Sequence, residues 1–239
     1  MGGYGKLGRL SEISKPLPKA KNTEVTGMEK IVIIGGGGHA RSVLDSILSR
    51  EEYEVVGYTD THISNIPLNY LGTDDVLEEL FQHNITFAAF GIGYLGKNYL
   101  RDTIFKRLKE IGFKFPAIID RSAEIAQDAV IGEGAFVGKK AVINAGSKIG
   151  CMCIINTQAT IEHTNTIGDY THISVGATLC GDVTVGDHCL VGANATVIQG
   201  IKIGQKAIIG AGTTVLRDVL PRNVVVGTLP RMLDRSEYC

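Results

Sequence analysis

From Ile125 onward every sixth residue is aliphatic, through Ile131, Val137, Ile143, Ile149, Ile155, Ile161, Ile167, Ile173, Leu179, Val185, Val191, Val197, Ile203 and Ile209 to Val215. No position fails and no insertion breaks the count. Two residues before each aliphatic runs a second stripe of mostly small residues, among them Ala129, Ala135, Ala141, Ser147, Cys153, Ala159, Thr171, Ala177, Cys189, Ala195, Ala207 and Thr213. Glycine often follows the aliphatic, as at Gly132, Gly150, Gly168, Gly186 and Gly204. Neither the helical period nor the simple alternation of a strand gives six. A short strand plus a tight turn does: aliphatic and small side chains point inward, and Gly, Asp or Asn absorb the corner. Stacking such units buries one continuous aliphatic core, which is a β-solenoid. The sixteen aliphatics bound fifteen six-residue units, or five coils at three units per turn. The general rule for parallel crossovers favours right-handed coils.

Upstream the pattern changes. Met28 to Ile34 is a short β-branched run, the signature of a buried strand. It leads into Gly35-Gly36-Gly37-Gly38-His39-Ala40, then a helical stripe through Val43, Leu44, Ile47 and Leu48, then a second strand from Tyr53 to Asp60. Strand, glycine-rich turn, helix, strand and terminal acid form the first unit of a nucleotide-binding α/β domain. Gly35, Gly37 and Ala40 fit G-x-G-x-x-[G/A], with Asp60 about twenty residues beyond, at the ribose-acid position. Further strands are expected at Thr86–Gly91 and near Phe115–Ile119, with a helix over Lys97–Ile111. Only Ile31 to Pro116 is available before the solenoid, which suits one mononucleotide half and argues against a nicotinamide oxidoreductase. The glycines then capture phosphate with backbone N–H groups and a helix N-terminus; otherwise they form a tight turn without ligand.

The organisation expected is an unstructured leader at 1–27, with Met28 reading as a natural start, an α/β nucleotide-sugar domain at 28–119, and the solenoid with a C-terminal cap at 120–239. The tail beyond Val215 is expected to cap the open end or cross onto a neighbouring subunit. Net charge is −1, so no basic surplus points to nucleic acid. No apolar run has transmembrane length and no signal peptide opens the chain, so the expected location is cytoplasmic. Five cysteines do not make a disulfide framework, and Cys151 and Cys153 form a lone C-x-C, so no metal site is expected.

The hexads resemble the left-handed parallel β-helix of hexapeptide-repeat acyltransferases, and left-handedness is what that resemblance implies. From Lys30 to Arg231 the chain resembles nucleotide-sugar acetyltransferases that join a small Rossmann-like α/β domain to such a helix. Their relatives include the UDP-4-amino-sugar N-acetyltransferases of the bacillosamine pathway and the sialic acid O-acetyltransferases. Asn156-Thr-Gln-Ala-Thr-Ile-Glu-His163 resembles the N-T…E-H catalytic stretch of that family. The resemblance implies His163 as general base, a role for which histidine is the residue type that most readily exchanges a proton near neutrality. Gly181, eighteen residues on, shares its corner one layer away and is an oxyanion-donor candidate. It further implies substrate contacts at Gly37, Gly38, His39, Asp60, Gly91 and Asn156. Acetyl-CoA contacts are implied at His172, Gly181, Ala193 and Ala211, in a homotrimer with sites between subunits. Thr164 departs from the family, which has an acid after this histidine, and Asn165 sits where Ala or Thr is usual. The expected reaction is acetyl transfer from acetyl-CoA to the amine of a UDP-linked 4-amino-4,6-dideoxy sugar, without a metal. The rivals are O-acetylation of sialic acid or a similar sugar, and a non-catalytic scaffold that binds sugar nucleotide.

Overall fold

The computed structural model describes residues 27–96 and 100–227. The leader expected at 1–27 lies almost wholly outside them, and so does the tail beyond Gly227. The α/β domain runs β1 (Glu29–Ile34), α1 (Gly38–Arg50), β2 (Tyr53–Thr59), β3 (Tyr70–Gly72), α2 (Leu77–Gln82), β4 (Phe87–Phe90) and α3 (Leu100–Ile111). The first three residues of the helix expected from Lys97 are not described. The four strands pair in parallel in the order β3-β2-β1-β4. Central β1 is covered on both faces, and Ile31 to Ile34 are fully buried, which is why that strand is an unbroken apolar run.

The second domain is a left-handed parallel β-helix of two-residue strands on three faces. Neighbouring strands on a face are offset by eighteen residues, as in Ile155↔Ile173 and Ile161↔Leu179. The aliphatic of each hexad is the inward residue, and Ile155, Ile161, Ile173, Leu179, Val191 and Val197 have no exposure. Cys153 and Cys189 occupy the small inward stripe, where burial pushes their thiols up to about 12 and about 11. The solenoid is longer than the hexad count at both ends. Ile118–Ile119, expected near the α/β domain's end, pairs with Phe136–Val137 of the first face. Past Val215, Val219 pairs with Ile203 and Val225 with Ile209, sixteen residues back rather than eighteen. The last coil is two residues short, so a strict count loses it. Five coils thus become about six.

The α/β domain rests on the first face. The outward residue of its first six strands is Ile118, Phe136, Ile154, His172, Leu190 and Ile208, with exposed Val224 in the seventh, whereas the second and third faces show Thr, Lys, Val or Glu there. Ile118, Phe136 and Ile154 join one core with Ile31, Val43, Ile47 and Tyr58. The seam is also polar: Ser46 donates to Asp120 (2.8 Å), Lys109 pairs with Glu133 (2.7 Å), and Lys139 pairs with Asp45.

Candidate active site

Between the two domains lies a cavity of about 880 Å³. Its floor is the turn from β1 into α1, its side is Asp60 with Asp74 and Asp75, its roof is the Gly91–Leu95 loop, and its far wall is Asn156, Thr157, His172 and Val175 of the solenoid. Helix α1 opens into it with Gly37 as an N-cap that has no side-chain hydrogen bond, and with no acid in its first turn. The first N–H groups of a helix lack internal acceptors, and their dipoles favour an anion. A Cβ built at Gly37 or Gly38 would meet no atom within 4 Å. These two glycines are therefore not demanded by packing; they leave the backbone open to whatever enters. Gly91 differs: a Cβ there would run into the Gly35 carbonyl, and would lie 2.6 Å from the Ala40 Cβ. Its smallness keeps β4 against the glycine turn. Asp60 holds the turn from the other side, its Oδ2 accepting from Gly36 N–H (2.7 Å) and its Oδ1 from Thr61 N–H (2.7 Å). Partial burial would raise its pKa, but these backbone donors outweigh that and hold it below the usual carboxylate value.

His39 is the second residue of α1, with its ring edge-on to Phe136 at 5.0 Å. Burial, and then the positive charge of Arg101, lower its pKa to about 3, so it is a neutral ring. Its Nε2 is buried without a partner among the described residues. His172 is 6 % exposed. Its Nδ1 lies 2.6 Å from the Tyr94 carbonyl and its Nε2 lies 3.1 Å from Asn156 Nδ2. Burial first lowers its pKa; the Tyr94 carbonyl acts the other way and Arg101 adds to the lowering. Both ring nitrogens are thus engaged within the chain, and His172 joins the nucleotide-loop residues rather than the later coils with which the resemblance grouped it. Tyr94 and Arg101 carry no sequence motif. Tyr94 donates its hydroxyl to the His188 carbonyl (2.8 Å), and buried Arg101 donates to the Met152 carbonyl (2.9 Å).

The other expected site residues lie on the corners of the prism. Thr157, Val175, Ala193 and Ala211 stack along the first corner, linked by Gly176 N–H to Thr157 (2.9 Å), Asn194 N–H to Val175 (2.9 Å) and Gly212 N–H to Ala193 (2.8 Å). That column starts at the cavity wall and continues past it. His163 and Gly181 stack along the second corner, where neither lines the cavity. Asp182 N–H donates to the His163 carbonyl (3.0 Å), and a Cβ on Gly181 would collide with the His163 ring. His163 is exposed, with Nδ1 2.9 Å from Thr164 Oγ1. Thr164 has φ +59°, the only β-branched residue among the described non-glycine residues with positive φ, a costly conformation for that side chain. Asn165 is fully buried and satisfied, donating to the Glu162 and Cys180 carbonyls (2.6 and 3.1 Å) and accepting from Val183 N–H (2.7 Å). It ties two neighbouring coils together beneath the histidine.

Residues 30–108 match the PglD N-terminal domain, and residues 182–217 match the hexapeptide repeat of succinyl-transferase. PerB from Caulobacter crescentus, solved with CoA and GDP-perosamine, is 33% identical over 83% of this chain and 94% of its own, with a TM-score of 0.79. The acetyltransferase domain of PglB from Neisseria gonorrhoeae, solved with acetyl coenzyme A, is 30% identical over 84% of this chain and 97% of its own, with a TM-score of 0.78. WeeI from Acinetobacter baumannii, 24% identical over 85% of this chain and 99% of its own with a TM-score of 0.69, shares the fold. With a PglD-type α/β domain seated on a hexapeptide-repeat β-helix, and with likeness over nearly the full length of such enzymes, the chain belongs to the sugar-nucleotide acetyltransferases of the hexapeptide-repeat family.

Proposed function

We propose that the protein moves the acetyl group of acetyl-CoA to the amine of a nucleotide-linked 4-amino-4,6-dideoxy sugar, in the cytoplasm, for a cell-surface glycan or glycoprotein sugar. The observation that carries this is the cavity itself, which joins an unobstructed helix N-terminus to a polar wall on the acyltransferase solenoid. The diphosphate rests on Gly37 and Gly38, Asp60 keeps the turn in shape, and the sugar extends toward Asn156. Acetyl-CoA runs along the first corner past Ala193 and Ala211. The amine attacks the thioester carbonyl, His163 takes its proton, the C–S bond breaks, and the proton passes to the leaving CoA thiolate. The Gly181 N–H faces the carbonyl oxygen as charge develops there. If Nδ1–H of His163 donates to Thr164, the lone pair is left on Nε2, facing the amine.

His163 stands on a different corner from the cavity of its own chain. We therefore assign it to the cavity of a neighbouring copy, in a homotrimer with three sites between subunits. UDP is the nucleotide of this reading; the Caulobacter neighbour, solved with GDP-perosamine, makes GDP the rival. Acetyl-CoA turnover against UDP- and GDP-linked 4-amino sugars, other UDP-sugars and free sialic acid tests both points. Turnover with sialic acid alone would replace the N-acetyl reading, and turnover with none would favour the scaffold.

Gly38→Val gives a sharper check on the nucleotide half. A Cβ at this exposed position meets no atom within 4 Å, so the melting temperature should stay near wild type. KM for the nucleotide sugar should rise by about tenfold or more as phosphate loses its approach to the backbone, with acetyl-CoA KM nearly unchanged. An unchanged sugar-nucleotide KM would remove the glycine turn from the site.

A further inference from the structure

The hydrogen bonds around His172 have directions fixed by chemistry. The Tyr94 carbonyl accepts only, so the ring nitrogen 2.6 Å from it, Nδ1, carries the proton. Thr157 N–H donates to Asn156 Oδ1 at 2.8 Å, which fixes that amide's oxygen and therefore its nitrogen. Asn156 Nδ2 then donates to His172 Nε2 at 3.1 Å, so Nε2 carries the lone pair. Every link agrees on one species: neutral imidazole, protonated on Nδ1. The chain of bonds runs from the solenoid corner at Thr157, through Asn156 and His172, to the loop that roofs the cavity.

Among the described residues this leaves one N–H of Asn156 uncommitted, and Asn156, like Thr157 beside it, lines the cavity half-exposed. We propose that His172 is a positioning residue: its neutral ring fixes the Asn156 amide so that the remaining N–H is aimed at an acceptor oxygen of the bound nucleotide sugar, while its Nδ1–H clamps the Tyr94 loop over that ligand. His172 thereby acts on the sugar nucleotide and not on acetyl-CoA. The low pKa agrees with it, because protonation at Nε2 would set two donors against each other. Tyr94 strengthens the clamp, its hydroxyl bonding to the solenoid at His188 while its carbonyl holds His172.

The ring has two arms, and two amide variants keep one each. The amide oxygen of His172→Gln can replace Nε2 as acceptor for Asn156; the amide nitrogen of His172→Asn can replace Nδ1 as donor to Tyr94. His172→Ala should raise the nucleotide-sugar KM by about tenfold, the size of one well-placed hydrogen bond, with acetyl-CoA KM within about twofold. His172→Gln should recover most of that loss and His172→Asn little of it, a pattern that a purely structural role would not give. If Gln and Ala behave alike, or if acetyl-CoA KM is the one that rises, the assignment is wrong.

The ligand half rests on the proposed function, so the ring state is read separately. Protein labelled with 15N-histidine should show, near neutral pH and without ligand, a neutral Nδ1–H ring whose signals are the ones lost in His172→Ala. An Nε2–H or charged ring would overturn the positioning role even if nucleotide sugar binds. The expected tautomer in an enzyme that binds neither UDP- nor GDP-linked 4-amino sugar in calorimetry would instead sink the substrate reading, and with it the aim of the Asn156 N–H.

Discussion

His163→Ala should lower kcat by about two to four orders of magnitude, the usual worth of a positioned general base, while acetyl-CoA and nucleotide-sugar KM change little. His39 and His172 cannot take over. Both line the cavity, yet burial, with Arg101 adding to it, lowers the pKa of each, and both His172 ring nitrogens already have partners. A group that resists a proton at rest is a poor acceptor in the transition state. His163 is exposed, and its support is an uncharged hydroxyl at 2.9 Å. Thr164→Glu offers that ring a carboxylate instead, so activity should hold or rise. Wild-type turnover by His163→Ala, under conditions where chemistry limits the rate, would falsify the base assignment. The same variant tests the site between subunits. His163→Ala and Gly38→Val, each impaired for a different reason, should regain part of the wild-type rate when mixed after dissociation and reassembly. Some interfaces would then join an intact glycine turn to an intact His163. Were one chain enough, mixing would give only the average of the two.

What the sequence discloses depends on how local the constraint is. The inward column is legible because a two-residue strand offers one inward position, and the prism accepts only an aliphatic there. Val219 and Val225 escape the count because the last coil is two residues short. The docked face was written at a period of eighteen, in the outward residues Ile118, Phe136, Ile154, His172, Leu190 and Ile208. Reading it needs the strands sorted by face first, which a six-residue count does not do. The glycine turn, Asp60 and His163 each announce themselves within a short stretch. The His172–Tyr94 contact spans 78 residues and depends on how one domain sits on the other. No spacing rule encodes that. Nor does any local signal mark Arg101, a buried cation held by Met152 and the Phe90 ring 5.8 Å away.

Ile173→Asp should cost the protein at least about 3–5 kcal/mol, the penalty of an unpaired buried charge, against a total stability of about 5–15 kcal/mol for an ordinary domain. Ile173 is fully buried and stacks between Ile155 and Val191. Its surroundings are the aliphatic column and the small stripe, whose nearest polar members already donate elsewhere, Thr171 to the Gly186 carbonyl and Asn165 to the Glu162 and Cys180 carbonyls. Protonating the acid would lessen the charge penalty and still leave a polar group in a dry core. The position matters as much as the chemistry. Solenoid coils are held by their nearest neighbours, so a break at Ile173 separates the coils below it, which carry the α/β domain, from those above, which carry Ala193 and Ala211. Lys148→Asp is the matched control: an exposed outward residue in a strand of the same kind, where the change should stay within about 0.5 kcal/mol. Urea melts of the two variants would decide. A broad or much earlier transition for Ile173→Asp beside a near-normal one for Lys148→Asp supports the register, because only the inward column should feel a charge. Equal midpoints would mean that the six-residue period does not mark the core, and the site built on its corners would lose its frame.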